Sequence, residues 1–182
     1  GSAFEGMGAA REVSYAVLAE IGIITAILTL AVQSGSVSLS SMFEPLPGPS
    51  EALLAVGLFI ILLAENCRVP FDVPNTHLEL TMIHEVMVLD HSGPPFALIL
   101  HGASVKLALF AAFLAQAVLP LSELPLAASL AALAAAVLAI TAAVGLVESL
   151  TARLSFRRVP LLLTTGFLFC LFPLLLTWMG DI

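Results

Sequence analysis

Five apolar runs, at residues 13–32, 52–66, 96–119, 126–150 and 161–178, set the terms on which this chain can fold. Four of them carry a single charged residue each and the last carries none. An apolar stretch of about 20 residues matches a helix crossing the hydrocarbon core of a bilayer. The run at 52–66 is short for a span. With 60% hydrophobic residues the chain lies far above the roughly 45–50% of a soluble domain. The expectation is an all-α integral membrane protein, one transmembrane domain over 1–182 with five spans.

Between the second and third runs the pattern breaks. Of the 13 acidic residues, Glu65, Asp72, Glu79, Glu85 and Asp90 fall in the stretch from Glu65 to Gly93, together with Arg68, His77, His84 and His91. Val69-Pro70 and Val73-Pro74 predict extended, helix-breaking backbone. Thr76-His-Leu-Glu79 fits a capping box, so a short amphipathic helix is expected over 77–90. At 100° per residue His77, Thr81, His84 and Glu85 share one face, and Leu78, Met82, Val86 and Leu89 a second. Glu79 and Asp90 fall on a third. The loop 67–95 is thus expected to lie at the membrane surface or under a partner. Ser50-Glu51 reads as an N-cap with an acid in the first turn of the second span. Pro160 suits the first turn of the last span, Pro173 is expected to kink it, and Trp178 fits an interfacial anchor.

Orientation follows from the basic residues. With five spans Arg11, Arg68, Arg153, Arg157 and Arg158 share one side, and the loops near 33–50 and 120–125 contain no Lys or Arg. The positive-inside rule then puts the N-terminal end and the 66–95 loop in the cytoplasm, in a cell inner (plasma) membrane. Six basic residues so scattered exclude nucleic-acid binding. The opening residues carry acid and glycine rather than the basic and apolar regions of a secretory signal.

Charges within or at the ends of spans are the candidate functional groups. Glu20, Glu65, Lys106 and Glu148 all fall in the cytoplasmic half, so they and the loop describe a polar funnel. A charge at a helix centre costs about 2.5–3.5 kcal/mol on the insertion scale, so such groups face a bundle interior or a wet cavity. Simple pairing competes with function here: Glu65 with Arg68, Lys106 with a glutamate, and Arg68, Asp72 and Glu79 as loop-shaping contacts. No metal is expected. His77, His84, Glu79 and Glu85 form no His-Glu-x-x-His, and Glu79 points away from the histidine face. Cys67 and Cys170 form no Cys-x-x-Cys and read as small buried hydrophobes. Hydrolytic, nucleotide-binding and haem motifs are absent from the sequence.

Arg68-Val-Pro-Phe-Asp72, then Glu79-Leu80, then Asp90-His-Ser-Gly93, resembles the signature of the complex I subunit 1 family, mitochondrial and bacterial. Thr76-His-Leu-Glu-Leu-Thr-Met-Ile-His-Glu85 and Gly6-Met-Gly-Ala-Ala-Arg-Glu12 look more like the branch found in energy-converting membrane-bound nickel–iron (NiFe) hydrogenases of the formate hydrogenlyase type. The family normally has about eight spans, and the resemblance covers the last five. It implies a membrane-anchoring and coupling subunit of a redox-driven proton or sodium pump. By position, Arg68, Asp72, Glu79 and Asp90 match the coupling loop, and Glu20 and Glu65 the membrane carboxylates. Glu85, Lys106 and Glu148 complete the proton path expected from the charge placement. The chain itself is expected to hold no cofactor. The nickel–iron centre and iron–sulfur clusters belong to large and small partner subunits docking on the loop, beside antiporter-like membrane subunits and lipid. The alternative within the family is the quinone-site subunit of NADH-quinone oxidoreductase. The alternative from another class is a self-contained secondary transporter, which predicts an internal inverted repeat that the sequence lacks.

Overall fold

The computed structural model describes residues 3–43, 48–72, 83–88, 90–152, 154–155 and 158–180. These form α1 (Ala3–Ser34), the single turn α2 (Leu39–Met42), α3 (Pro49–Glu65), the single turn α4 (His84–Met87), α5 (Pro94–Val118), α6 (Leu126–Leu150) and α7 (Val159–Gly180). A 3-10 turn, Leu121–Glu123, joins α5 to α6. No strand occurs among the described residues. Helices α1, α5, α6 and α7 are long and apolar enough to cross a membrane. The 17-residue α3 spans roughly 25 Å at 1.5 Å per residue, the short crossing its sequence implied.

Three helices form the core. Along α1, α3 and α7 small residues let backbones approach, the usual means of association where lipid offers no hydrophobic drive. A Cβ on Gly57 would lie 2.7 Å from Cys170 Sγ and 2.9 Å from the Gly166 carbonyl oxygen. A Cβ on Gly22 would lie 2.5 Å from Ile61 Cδ1. Thr29 is fully buried, and its hydroxyl donates to Thr25 O at 2.9 Å and across to Cys170 O at 3.3 Å. That second acceptor adjoins Phe169, whose carbonyl loses its helical donor to buried Pro173. Leu30, Leu54, Ile61, Leu62 and Leu163 fill the space between. Outside this cluster α5 leans on α3, and α6 packs against α5 with Val144 as its one buried side chain among the described residues.

Helix starts differ from the sequence expectation. Ser50 does not cap α3: Gly48, at φ 60, takes the N-cap and Pro49 follows at the first helical position. Helix α5 begins with the same pair, Gly93 at φ 63 and then Pro94. Proline, pre-set for the helix and short of a donor that would be orphaned anyway, fixes both starts. Helix α1 begins ten residues before the expected 13, because polarity excludes Glu5, Arg11 and Glu12 from lipid but not from a helix. This extension reaches about 15 Å beyond the apolar run and stands over the loop that follows α3.

Candidate functional site

Helix α3 ends in a Schellman motif. The Cys67 N–H donates to Ala64 O at 3.1 Å and the Arg68 N–H to Leu63 O at 2.9 Å. Cys67 occupies the left-handed position, φ 48, where glycine is usual. The chain then closes a turn, with the Phe71 and Asp72 N–H groups donating to Arg68 O at 2.8 and 3.2 Å. These bonds make a closed turn rather than the extended segment expected at Val69-Pro70, whose peptide is cis, and Val73-Pro74 lies outside the described residues. Phe71 is buried beneath it.

Asp72, 2% exposed, ties the turn to the segment beyond. Its Oδ2 accepts the N–H groups of Ile83 and His84, both at 3.0 Å. It therefore caps α4 from outside the local sequence, a role close to an N-cap with a charged acceptor. Ile83 and Val86 are buried, and Gly8 of α1 admits them: a Cβ there would lie 2.9 Å from Ile83 O. In place of a helix over 77–90, the described part of that segment holds the single turn His84–Met87. The capping box at Thr76–Glu79, the faces through His77, Leu78, Thr81, Met82 and Leu89, and the Glu79 and Glu85 side chains lie outside the described residues.

Among the described residues, four opposite-charge contacts gather at this end of the bundle. Lys106 Nζ of α5 lies 2.8 Å from Glu65 Oε2 of α3, whose side chain is only 8% exposed. Arg68 Nη1 lies 3.5 Å from Glu148 Oε1 at the end of α6. Two longer contacts, ionic when the imidazole is protonated, join His84 Nδ1 to Glu12 Oε2 at 4.0 Å and His91 Nδ1 to Glu5 Oε1 at 3.9 Å. Glu5 Oε1 also accepts the Asp90 N–H at 3.3 Å, and Leu154 N–H donates to Pro70 O at 3.0 Å. The start of α1, the end of α3, the start of α5 and the loop after α6 thus meet on one side. The alternation of the helices requires this.

Between these elements lies a cavity of about 810 Å³. Glu12, Glu65, Cys67, His84, His91 and Lys106 are among its walls. This cavity holds part of the polar funnel expected from the sequence, Glu65 and Lys106, with three changes. Glu20 is exposed on α1, and neither it nor Glu148 lines the cavity. The pairing of Glu65 with Arg68, weighed from the sequence, is not found: Glu65 takes Lys106, and Arg68 takes Glu148. Glu12, not singled out from the sequence, is central. Its signal was available, since Glu5 and Glu12 are two turns apart and share a face once α1 is extended. Cys67 gave no such signal. Burial, reinforced by the charges of Glu12 and Asp72, pushes its thiol up to about 12. Four atoms at the site are buried without a hydrogen-bond partner among the described residues: Glu12 Oε2, Glu65 Oε1, Asn66 Oδ1 and His84 Nε2.

The fold and site define a class: a multi-pass helical membrane protein holding paired carboxylates and cations around a cavity at one end of its bundle. The comparisons with known proteins then give the family. A family model described as NADH dehydrogenase matches residues 1–179, and the chain belongs to that family, the complex I subunit 1 family. The chain is 32% identical over 120 residues to an NADH-quinone oxidoreductase subunit of Anaplasma marginale (strain St. Maries). That stretch takes in 63% of this chain and 33% of the relative, so the match spans about a third of the relative's length.

Proposed function

We propose that the chain is a membrane-anchoring and coupling subunit of a redox-driven proton- or sodium-pumping complex, of the membrane-bound nickel–iron hydrogenase branch. One observation carries the coupling role. The Glu65–Lys106 pair, with its carboxylate side chain buried, and the His84–Glu12 contact share one cavity, reached through the loop that a soluble partner would cover. The Thr76–Glu85 segment supports the hydrogenase branch. In this reading electrons travel in partner subunits, and this chain supplies carboxylates whose charge depends on loop geometry. A partner pressing on α4 moves His84, and the Asp72 contacts pass that displacement to the turn after α3. Moving His84 changes the field at Glu12, and with it how tightly that carboxylate holds its proton.

A second reading has support of its own. The curated relative is a quinone oxidoreductase subunit, and about 810 Å³ lies within the usual range of small-molecule cavities. In that case the cavity would take a quinone head, and Glu12, His84 and Lys106 would face it. The cytoplasmic side for the loop and for the start of α1 belongs to either reading.

The test is gentle purification through a tag on this chain, followed by analysis for nickel, iron, flavin and quinone. Nickel with iron–sulfur partners supports the hydrogenase branch. Iron with flavin and quinone but without nickel moves the chain to the complex I form. Isolation without metal-bearing partners overturns both. In the assembled complex Glu79→Gln is expected to leave assembly intact and uncouple turnover from ion transport. Fully coupled transport in that variant removes the coupling role.

A further inference from the structure

We propose that Glu12, Cys67 and His84 form a binding site for a divalent transition metal of the zinc class, opening onto the cavity. A carboxylate oxygen, the Cys67 sulfur and a ring nitrogen of His84 all lie within 4.8 Å of one another. They come from three separate elements: α1, the turn after α3, and α4. Tetrahedral zinc with sulfur at about 2.3 Å and nitrogen near 2.0 Å separates its ligands by roughly 3.5 Å. Side-chain adjustment of about an ångström therefore closes the site.

The donor set selects the metal. Thiolate and imidazole suit zinc or cobalt, whereas magnesium and calcium demand oxygen. One thiolate, one carboxylate and a neutral imidazole balance a divalent cation, which suits a partly dehydrated wall. Three protein ligands leave a coordination position facing the cavity, the pattern of open rather than structural zinc sites.

Independent observations agree. His84 Nε2 is buried and lacks a hydrogen-bond partner among the described residues, and Glu12 Oε2, also buried, has only the 4.0 Å contact with His84 Nδ1. Such atoms are costly unless something satisfies them. Cys67 holds a left-handed conformation that glycine or asparagine would adopt more cheaply, so the thiol is maintained there against backbone preference. Asp72 fixes the backbone of His84, which limits where its ring can swing. The site does not depend on which redox branch the chain serves.

The experiment uses the membrane complex containing this chain, purified in mild detergent, stripped with a chelator and re-equilibrated with micromolar zinc or cobalt. Zinc per chain is compared between the native protein and Cys67→Gly, so that metals held by partner subunits cancel. The glycine suits the left-handed position, so this variant folds. The expected result is one zinc per chain more in the native protein. A cobalt–thiolate charge-transfer band should be present in the native protein and absent from the variant. Zinc should also slow maleimide labelling of Cys67 by about tenfold or more, with the Cys67→Gly complex as the blank for all other thiols. Glu12→Gln, judged on complexes that still co-purify, should weaken zinc binding by roughly tenfold or more. Equal zinc in native and Cys67→Gly complexes, or labelling of Cys67 indifferent to zinc, overturns the site.

Discussion

At Cys67 the chain accepts a backbone conformation that its residue type disfavours. For L residues the left-handed region costs roughly 1–2 kcal/mol. Replacing Cys67 by glycine should therefore stabilise the chain by about 0.5–1 kcal/mol, less than the full strain because glycine also frees the unfolded state. Thermal unfolding in detergent under metal-free conditions would read this as a raised midpoint, and a lowered one would mean the thiol packs better than it strains. Glu65 poses the opposite problem, a carboxylate side chain only 8% exposed whose neutralising partner lies one helix away. Lys106→Met leaves that carboxylate buried and unpaired and is expected to cost about 3 kcal/mol. Adding Glu65→Gln should recover most of the loss. If the double variant is no better than the single one, Lys106 contributes through packing instead. All four intramembrane charges were legible in the sequence, and so was a glutamate partner for Lys106, but which glutamate it would be was not. Lys106 and Glu65 sit on different helices, and the rotation of one helix against another is written in no local pattern.

The elements were legible in kind and less so at their ends. Apolar length located five helices, because lipid enforces it over whole runs. Caps went astray where two local rules competed: Ser50 is a good N-cap, yet Gly48-Pro49 sets the start two residues earlier. The acidic loop was least legible, because its turn α4 is capped by Asp72 from 12 positions upstream of His84. Asp72→Ala removes both acceptor contacts and should cost about 1–3 kcal/mol, felt first as faster proteolysis around α4. A conservative Asp72→Asn would keep a weaker oxygen acceptor, and its cleavage rate should fall between the two. Close packing of α3 on α7 rests on Gly57 facing Gly166. Gly57→Val forces atoms where the Cys170 sulfur and a carbonyl already lie. It should lower stability by about 1–3 kcal/mol, more if the helices must separate. The same change at Gly102, where a Cβ meets nothing within 4 Å, is the control and should leave packing undisturbed.

As a whole molecule the chain is asymmetric. Helices α1, α3 and α7 share a core, while α6 has one buried side chain among the described residues and a run of alanines turned outward. In a bilayer that outward face is compatible with lipid, and small residues on it also suit another helix. Glu20 is a different matter. It is exposed in the middle of the Glu5–Ser34 span, where lipid contact would cost an ionised carboxylate about 2.5–3.5 kcal/mol. The sequence marked Glu20 as a buried charge on the premise of a bundle interior; this chain alone does not supply one around that residue. A protein surface covering that face of α1 would resolve the conflict. Glu20→Leu should then act in opposite directions at two levels of assembly. The isolated chain in detergent should become more stable, since a charge is removed from an apolar surface. The complex recovered from membranes should become weaker or poorer in yield, since a polar contact across the covered face is lost. If Glu20→Leu leaves the recovered complex unchanged, that face meets lipid and Glu20 makes no contact across a subunit boundary.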